Sequence, residues 1–193
     1  MRQILQSMRF LAWITLWTGV GYPALMTGVG HFVFPDRSEG SWVHVGGNLV
    51  GSALIGQPFK SERYFFARPS AVQNNPLPSG GSNLSPASAA LQAIVRERET
   101  EWGRSSSDAA PADLLFASAS GVDPHLTPQG AFAQVERVAK ARGLASDAIR
   151  ELVARNVEEP QFGFLGRPRV NVLLLNRSLD AMVDPPPSAS LEP

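Results

Sequence analysis

From Phe10 to Phe34 the chain carries no fixed charge, and those 25 residues constrain the rest of the reading. As a single α-helix the run reaches ~37 Å at ~1.5 Å per residue, more than the ~30 Å hydrocarbon core of a bilayer. Ten of the 25 are Leu, Ile, Val or Phe. Each contributes about −0.3 to −0.6 kcal/mol to insertion at mid-membrane. Four glycines, Pro23 and three threonines weaken the sum. The run therefore reads as a transmembrane helix over 10–34. Arg2, Arg9 and the amino terminus precede it without an acidic residue, whereas Asp36, Arg37 and Glu39 follow it. The positive-inside rule then puts 1–9 in the cytoplasm and the rest outside a cell inner membrane, in the periplasm. A cleaved signal peptide is the rival reading. Its apolar region is about 7–15 residues long and ends at a small-residue cleavage site. This run is longer and lacks such a site, so an uncleaved single-pass anchor is expected.

Pro23 lies in the middle of the run, after Gly19 and Gly21, and should kink the helix because it removes a backbone donor. Thr15, Gly19, Pro23 and Thr27 follow one another at four-residue spacing, with Ala24 and Gly28 as a second small pair. Small side chains at that spacing let a second helix approach closely. They are the expected packing face toward a partner, the alternative being plain tolerance of small residues in the lipid bilayer.

The remaining chain reads as one α+β domain over 35–183, with a Pro- and Ser-rich disordered tail over 184–193. Trp42–Val45 and Leu49–Val50, joined through Gly46, Gly47 and Asn48, form a hairpin pattern. Residues 72–90 shift to Asn, Pro, Ser and Gly and read as a long loop. Ser85-Pro86 looks like a helix start, with helical spacing to Trp102. Leu114–Phe116 suggests a buried strand. Thr127-Pro128 opens a further helix, ended by Gly143 as a left-handed cap. Ser146 is expected to cap the next helix, with Ile149, Leu152 and Val153 on one face. Val170–Leu175 is a strand candidate, and Ser178–Met182 a terminal helical turn.

Motifs for chemistry are incomplete. Charge is balanced, 17 basic residues against 17 acidic, with no basic block for nucleic acid. Cysteine is absent, which removes disulfides, thiol nucleophiles and thiolate metal sites. Gly51–Gly56 opens like a phosphate-binding loop, but Gln57 and Pro58 stand where Lys and Ser or Thr are needed. His31, His44 and His125 are too scattered for a zinc site, and no metal is expected. Asp123-Pro124-His125 follows Ser118 and Ser120, the residue types of a hydrolase triad. No nucleophile elbow is present, and an Asx-type turn before Thr127 is the simpler reading. Ser79-Gly80-Gly81-Ser82-Asn83 is a conspicuous loop. Its glycines should allow positive φ and an anion-binding nest, or else a plain turn or partner contact. Arg63, Arg68, Arg167 and Arg169 form small basic clusters suited to solvation or carboxylate pairing.

Ordered blocks along the whole chain resemble the C subunit of the Kdp-type potassium-transporting ATPase. They are Thr18-Gly19, Tyr22-Pro23 and Thr27-Gly28, then Gly51–Gln57 and Phe59, Tyr64-Phe65, and Arg68–Ala71. Asn75-Pro76, Ser79–Leu84, Ala117–Gly121 with Asp123–His125, and Arg137–Ala139 with Ala141-Arg142 follow. Gly166, Pro168–Leu173, Asn176 and Leu179-Asp180 complete the series. Ala87-Ser88-Ala89 and Arg167 depart from residues common in the family. The resemblance implies a non-catalytic accessory subunit that assembles with a channel-like potassium-binding subunit and a P-type pump subunit. It also implies a catalytic chaperone that raises the pump subunit's apparent affinity for ATP. No cofactor is assigned to this chain, since ATP and potassium are handled by the complex. Gln57, Arg68, the loop 79–83, Asp123, His125, Arg169 and Asn171 are the motif positions expected to contact partners. The alternatives are a membrane-anchored envelope hydrolase and a solute-binding module.

Overall fold

The structure is a computed structural model that describes residues 1–104 and 109–183. The expected tail over 184–193 lies outside the described residues. The chain divides into two units, Met1–Val43 and His44–Pro193.

In the first unit the apolar run is not one helix. Helix α1 spans Arg2–Leu16, a π-helical turn spans Trp17–Gly21, and α2 spans Tyr22–Val33, followed by the short α3, Pro35–Ser38. The break follows from proline chemistry. Pro23 sits in the first turn of α2, has no N–H to donate, and crowds the carbonyl four residues back. A wider π turn just ahead of it absorbs that conflict. The 15 residues of α1 reach only ~22 Å and the 12 of α2 only ~18 Å, both short of a ~30 Å hydrocarbon core. Helix α1 also carries Arg2, Gln3, Gln6 and Arg9. No helix among the described residues is long and apolar enough to cross a membrane, which corrects the expected transmembrane helix over 10–34. Neither α1 nor α2 buries a residue.

The mixture of helix and sheet is as expected. Strands β1 (Trp42–Val45) and β2 (Asn48–Ser52) form a two-stranded sheet. Gly46 and Gly47 between them hold φ of +57° and +83°, the left-handed pair that a tight hairpin demands. Irregular chain then runs to α4, Ala89–Gly103. Its cap is Ser88, whose hydroxyl accepts from Leu91 N at 3.1 Å, so the helix begins after the Ser85-Pro86 signal. Leu114 and Leu115 belong to a helical turn, α5 (Ala112–Leu115), rather than a strand.

Three short antiparallel strands follow in the order β3 (His125–Leu126), β5 (Arg169–Asn171), β4 (Val157–Glu158). Val170 at the centre pairs with Leu126 on one side and Val157 on the other. Between β3 and β4 lie α6 (Pro128–Phe132), α7 (Val135–Arg142) and α8 (Ser146–Arg155). Thr127 caps α6 by accepting from Gly130 N at 3.1 Å, and Gly143 closes α7 in the left-handed region, as expected. The cap of α8 is Ala145; the Ser146 hydroxyl instead donates to Glu136 Oε2 at 2.8 Å.

The run after Pro168 is a strand for only three residues and then helix α9, Val172–Val183. Asn171 makes the switch, since its Oδ1 accepts from Leu174 N at 3.2 Å and caps the new helix. Val135, Val138, Ile149, Val153, Leu175 and Leu179 from three helices meet Leu126 and Val170 of the sheet in one core. Each such buried side chain contributes roughly 1.5–3 kcal/mol. Phe65, from irregular chain, is wholly buried in the same core.

Candidate functional site

Loops far apart in the sequence meet around Asp123. Gly56 N donates to Val122 O at 2.8 Å, and Ser118 N donates to Pro69 O at 2.9 Å. The Ser70 hydroxyl donates to Gly121 O at 2.6 Å and accepts from Val72 N and Asn74 N at 3.1 and 2.9 Å. Arg68 Nη1 reaches Asp123 Oδ2 at 3.1 Å. The other carboxylate oxygen accepts from His125 N at 3.0 Å and lies 3.6 Å from His125 Nδ1. Burial works to raise the Asp123 carboxyl; the bonds from His125 and the Arg68 guanidinium outweigh it and hold the group below the usual carboxylate range.

Glycines make this closeness possible. A Cβ at Gly56 would lie 2.6 Å from Asp123 O, and one at Gly121 would lie 2.4 Å from Gly80 O. A Cβ at Gly51 would overlap the Gln57 side chain, whose Nε2 donates to Val50 O at 3.2 Å. The glycines of the 51–56 motif thus serve packing of chain on chain. Gly81 approaches the backbone of Ala119, and Gly80 stands in open space. Neither Gly80 nor Gly81 takes positive φ; in this loop it is Asn83 that does, at +53°. The anion-binding nest, an alternative to a plain turn in this loop, is therefore not formed by the two glycines. Ser79, Ser82 and Asn83 are exposed.

His125 sits in the Asx turn expected of it. The Ser118 and Ser120 hydroxyls bond each other at 3.0 Å rather than the imidazole. With one Asp123 oxygen on Arg68 and the other on the His125 backbone, the carboxylate ties these loops together. Arg169 pairs with Glu158 at 2.9 Å across β5 and β4, an exposed contact. Asn171, besides capping α9, donates to Ala53 O at 2.7 Å and ties the 51–57 loop to the sheet. In the other unit Thr15, Gly19, Pro23, Ala24, Thr27 and Gly28 are all exposed, and Gly19 and Gly28 have no atom near a prospective Cβ.

Reading the motifs alone misses a second construction. The segment Glu62–Phe66 is turn and irregular chain and belongs to no strand; Gln134 and side chains of α7 and α9 hold its backbone. Arg137 Nη1 donates to Glu62 O at 2.6 Å, and its Nη2 to Tyr64 O at 2.9 Å and Gln134 Oε1 at 2.8 Å. Its guanidinium lies 3.9 Å from the centroid of the Phe66 ring. Gln134 accepts from Phe66 N at 2.8 Å and donates to Phe66 O at 3.2 Å. Asn176 does the same for Phe65, at 2.9 and 3.0 Å. Arg142 Nε donates to Arg63 O at 2.7 Å while its Nη2 meets Asp180 Oδ1 at 2.7 Å. Burial lowers the Arg137 pKa to about 10, with Glu62 opposing, so it stays charged at neutral pH. No local signal marks this site in the sequence, because Gln134, Arg137, Arg142 and Asn176 are polar and their partners lie 68 to 111 residues away.

Residues 4–181 match the family model KdpC, described as K+-transporting ATPase, c chain. The chain is similar to the potassium-transporting ATPase KdpC subunit of Burkholderia ambifaria, 51% identical over 176 residues, or 87% of this chain and 90% of that one. It is also similar to the KdpC subunit of Geobacter sulfurreducens, 44% identical over 188 residues, 95% of this chain and 100% of the other. The subunit of Cereibacter sphaeroides is 46% identical over 168 residues, covering 87% and 91%. Gly56, Arg68, Ser70, Gly121 and Asp123, the residues that tie the loops together, all fall inside the matched span. The chain belongs to the KdpC family, the c chain of K+-transporting ATPases.

Proposed function

We propose that this chain is a non-catalytic accessory subunit of a membrane-associated potassium-transporting ATPase complex, and that its work is assembly. The supporting observation is the family match over residues 4–181, which includes both the N-terminal helices and the loop cluster. The partners are the channel-like potassium-binding subunit and the P-type pump subunit. ATP is bound and hydrolysed by the pump subunit, and this chain raises its apparent ATP affinity through long-range coupling in the assembled complex. The small residues Thr15, Gly19, Pro23, Ala24, Thr27 and Gly28 pack against a neighbouring subunit. The loop 79–83 and the exposed pair Arg169–Glu158 supply further contacts.

The experiment is co-purification of the complex in mild detergent with Gly19→Leu and Gly28→Leu. Both positions leave room for a Cβ within this chain. The expected result is reduced recovery of the two large subunits and reduced potassium uptake. Unchanged recovery and uptake would reject the packing face. ATP binding by this chain alone, at the affinity of the complex, would reject coupling through assembly.

A further inference from the structure

Strands β4 and β5 pair Val157 with Val170 and Glu158 with Arg169, so residues 159–168 form the loop of a hairpin. Every residue from 161 to 169 is exposed, and no other described part of the chain covers this loop. Its tip is nevertheless apolar: Phe162 is 78% exposed, Phe164 75% and Leu165 51%. Neither ring has an aromatic or cationic partner among the described residues. Single exposed apolar residues are ordinary, but three together on one projecting turn mark a contact surface.

The tip is also fixed. Gln161 and Leu165 exchange backbone hydrogen bonds at 3.0 and 2.9 Å, and Gly163 N donates to Pro160 O at 2.9 Å. Below them Arg169 pairs with Glu158, and Val170 is wholly buried in the core. Phe162 and Gly163 hold φ of +55° and +80°. Glycine takes that conformation freely, whereas the Cβ of phenylalanine opposes it. Asn, Asp or Gly makes the same turn with less strain. Residues held against such strain gather at binding sites. Here the strain aims an aromatic ring away from its own protein.

The surroundings favour a folded partner over lipid. A fluid bilayer accepts a ring at any angle and gains nothing from one that is aimed. A shaped pocket gains, because the ring is ordered before binding. No charge lies between Gln161 and Gly166, while Glu159 and Arg167 flank the tip. Both are exposed, and neither forms an ion pair among the described residues. An anionic bilayer attracts Arg167 and repels Glu159, whereas a protein rim can answer both. An apolar centre with a polar rim, built from aromatic residues and arginine, is the composition of a protein contact.

We propose that the loop 159–168 is a docking finger. Phe162, Phe164 and Leu165 enter an apolar pocket of a folded partner whose rim presents a carboxylate to Arg167. This rests on the accessory-subunit reading above, and the pocket belongs to one of the two large subunits.

The test is photocrosslinking in the assembled complex, purified in mild detergent through a tag on this chain, with Phe164→p-benzoylphenylalanine as the photoreactive group. Irradiation should join residue 164 to one large subunit, identified by mass. Adding Phe162→Asn or Arg167→Glu should lower the adduct yield about fivefold or more. Asparagine relieves the strained φ, so the Phe162→Asn chain should melt no earlier than wild type while docking less. If the large subunits co-purify but residue 164 labels only lipid, detergent or a second copy of this chain, the finger is overturned and the accessory role stands. An adduct that Phe162→Asn leaves undiminished, or a Phe162→Asn chain that melts earlier, also overturns it. If no large subunit co-purifies with the tagged wild-type chain, the accessory-subunit reading fails and the finger fails with it.

Discussion

Gln134 faces Phe66 as a neighbouring strand would, accepting from its N–H at 2.8 Å and donating to its carbonyl at 3.2 Å. Gln134 is fully buried, and its Oε1 also accepts from Arg137. Replacing it with leucine keeps the approximate volume and strands both Phe66 backbone groups away from water. We expect Gln134→Leu to cost roughly 2–4 kcal/mol. Urea denaturation of the full chain in detergent checks this, and a loss under ~1 kcal/mol would mean that water replaces the amide.

Asp123 makes stability depend on acid. Its folded pKa lies below the unfolded value, so its contribution is complete above the unfolded carboxylate pKa of ~3.9 and is lost as pH falls through the folded value. Asp123→Asn should be less stable than wild type at neutral pH by roughly 1–2 kcal/mol. The difference should shrink as the pH drops below ~4. Melting temperatures of both proteins across that range test the sign; a gap that widens in acid contradicts it.

Two nearby glycines should respond in opposite ways. Gly121 holds φ of +70°, and a Cβ there would press on Gly80 O at 2.4 Å and Val72 Cγ2 at 2.6 Å. Gly121→Ala should therefore cost about 2 kcal/mol or more. Gly80 has ordinary φ and open space, so Gly80→Ala should change stability by no more than ~0.5 kcal/mol. Thermal unfolding of the pair compares them directly.

Asn171 has two separable duties. Asn171→Ala loses the cap of α9 and the bond to Ala53 O, for about 1–2 kcal/mol in total. Asn171→Asp keeps an acceptor for Leu174 N and loses the donor to Ala53. Its second carboxylate oxygen then faces the Ala53 carbonyl, so at neutral pH it should fall at or below alanine in denaturant midpoint and recover as the carboxylate is protonated. A midpoint above alanine at neutral pH would mean that the Ala53 contact contributes little.

Local chemistry made part of this fold legible. Gly46-Gly47 marked the hairpin, Thr127 and Gly143 marked the ends of a helical stretch, and Asp123 marked an Asx turn. Those signals act over a few residues. Short apolar runs were misread because periodicity does not separate a buried strand from a buried helix. Val172–Leu175 and Leu114–Leu115 are such runs, and a hydrogen bond from Leu174 N to Asn171 Oδ1 decides the first. The uncharged run over 10–34 had the composition of a single helix, but the proline at 23 divides it. Of the residues expected to contact partners, Arg68, Asp123, His125 and Gln57 bond within their own chain. The fastening of Glu62–Phe66 was invisible because its partners lie 68 to 111 residues away at the Phe66 and Phe65 positions.

A sheet neighbour holds its strand through main-chain atoms that every amino acid carries, so drift in sequence scarcely loosens it. The segment 62–66 has no such insurance. Its grip is encoded in four codons, for Gln134, Arg137, Arg142 and Asn176, and a single missense change in any of them unfastens one rung. Close homologues that retain the same core but vary at those four positions should therefore differ in how readily a protease nicks this stretch.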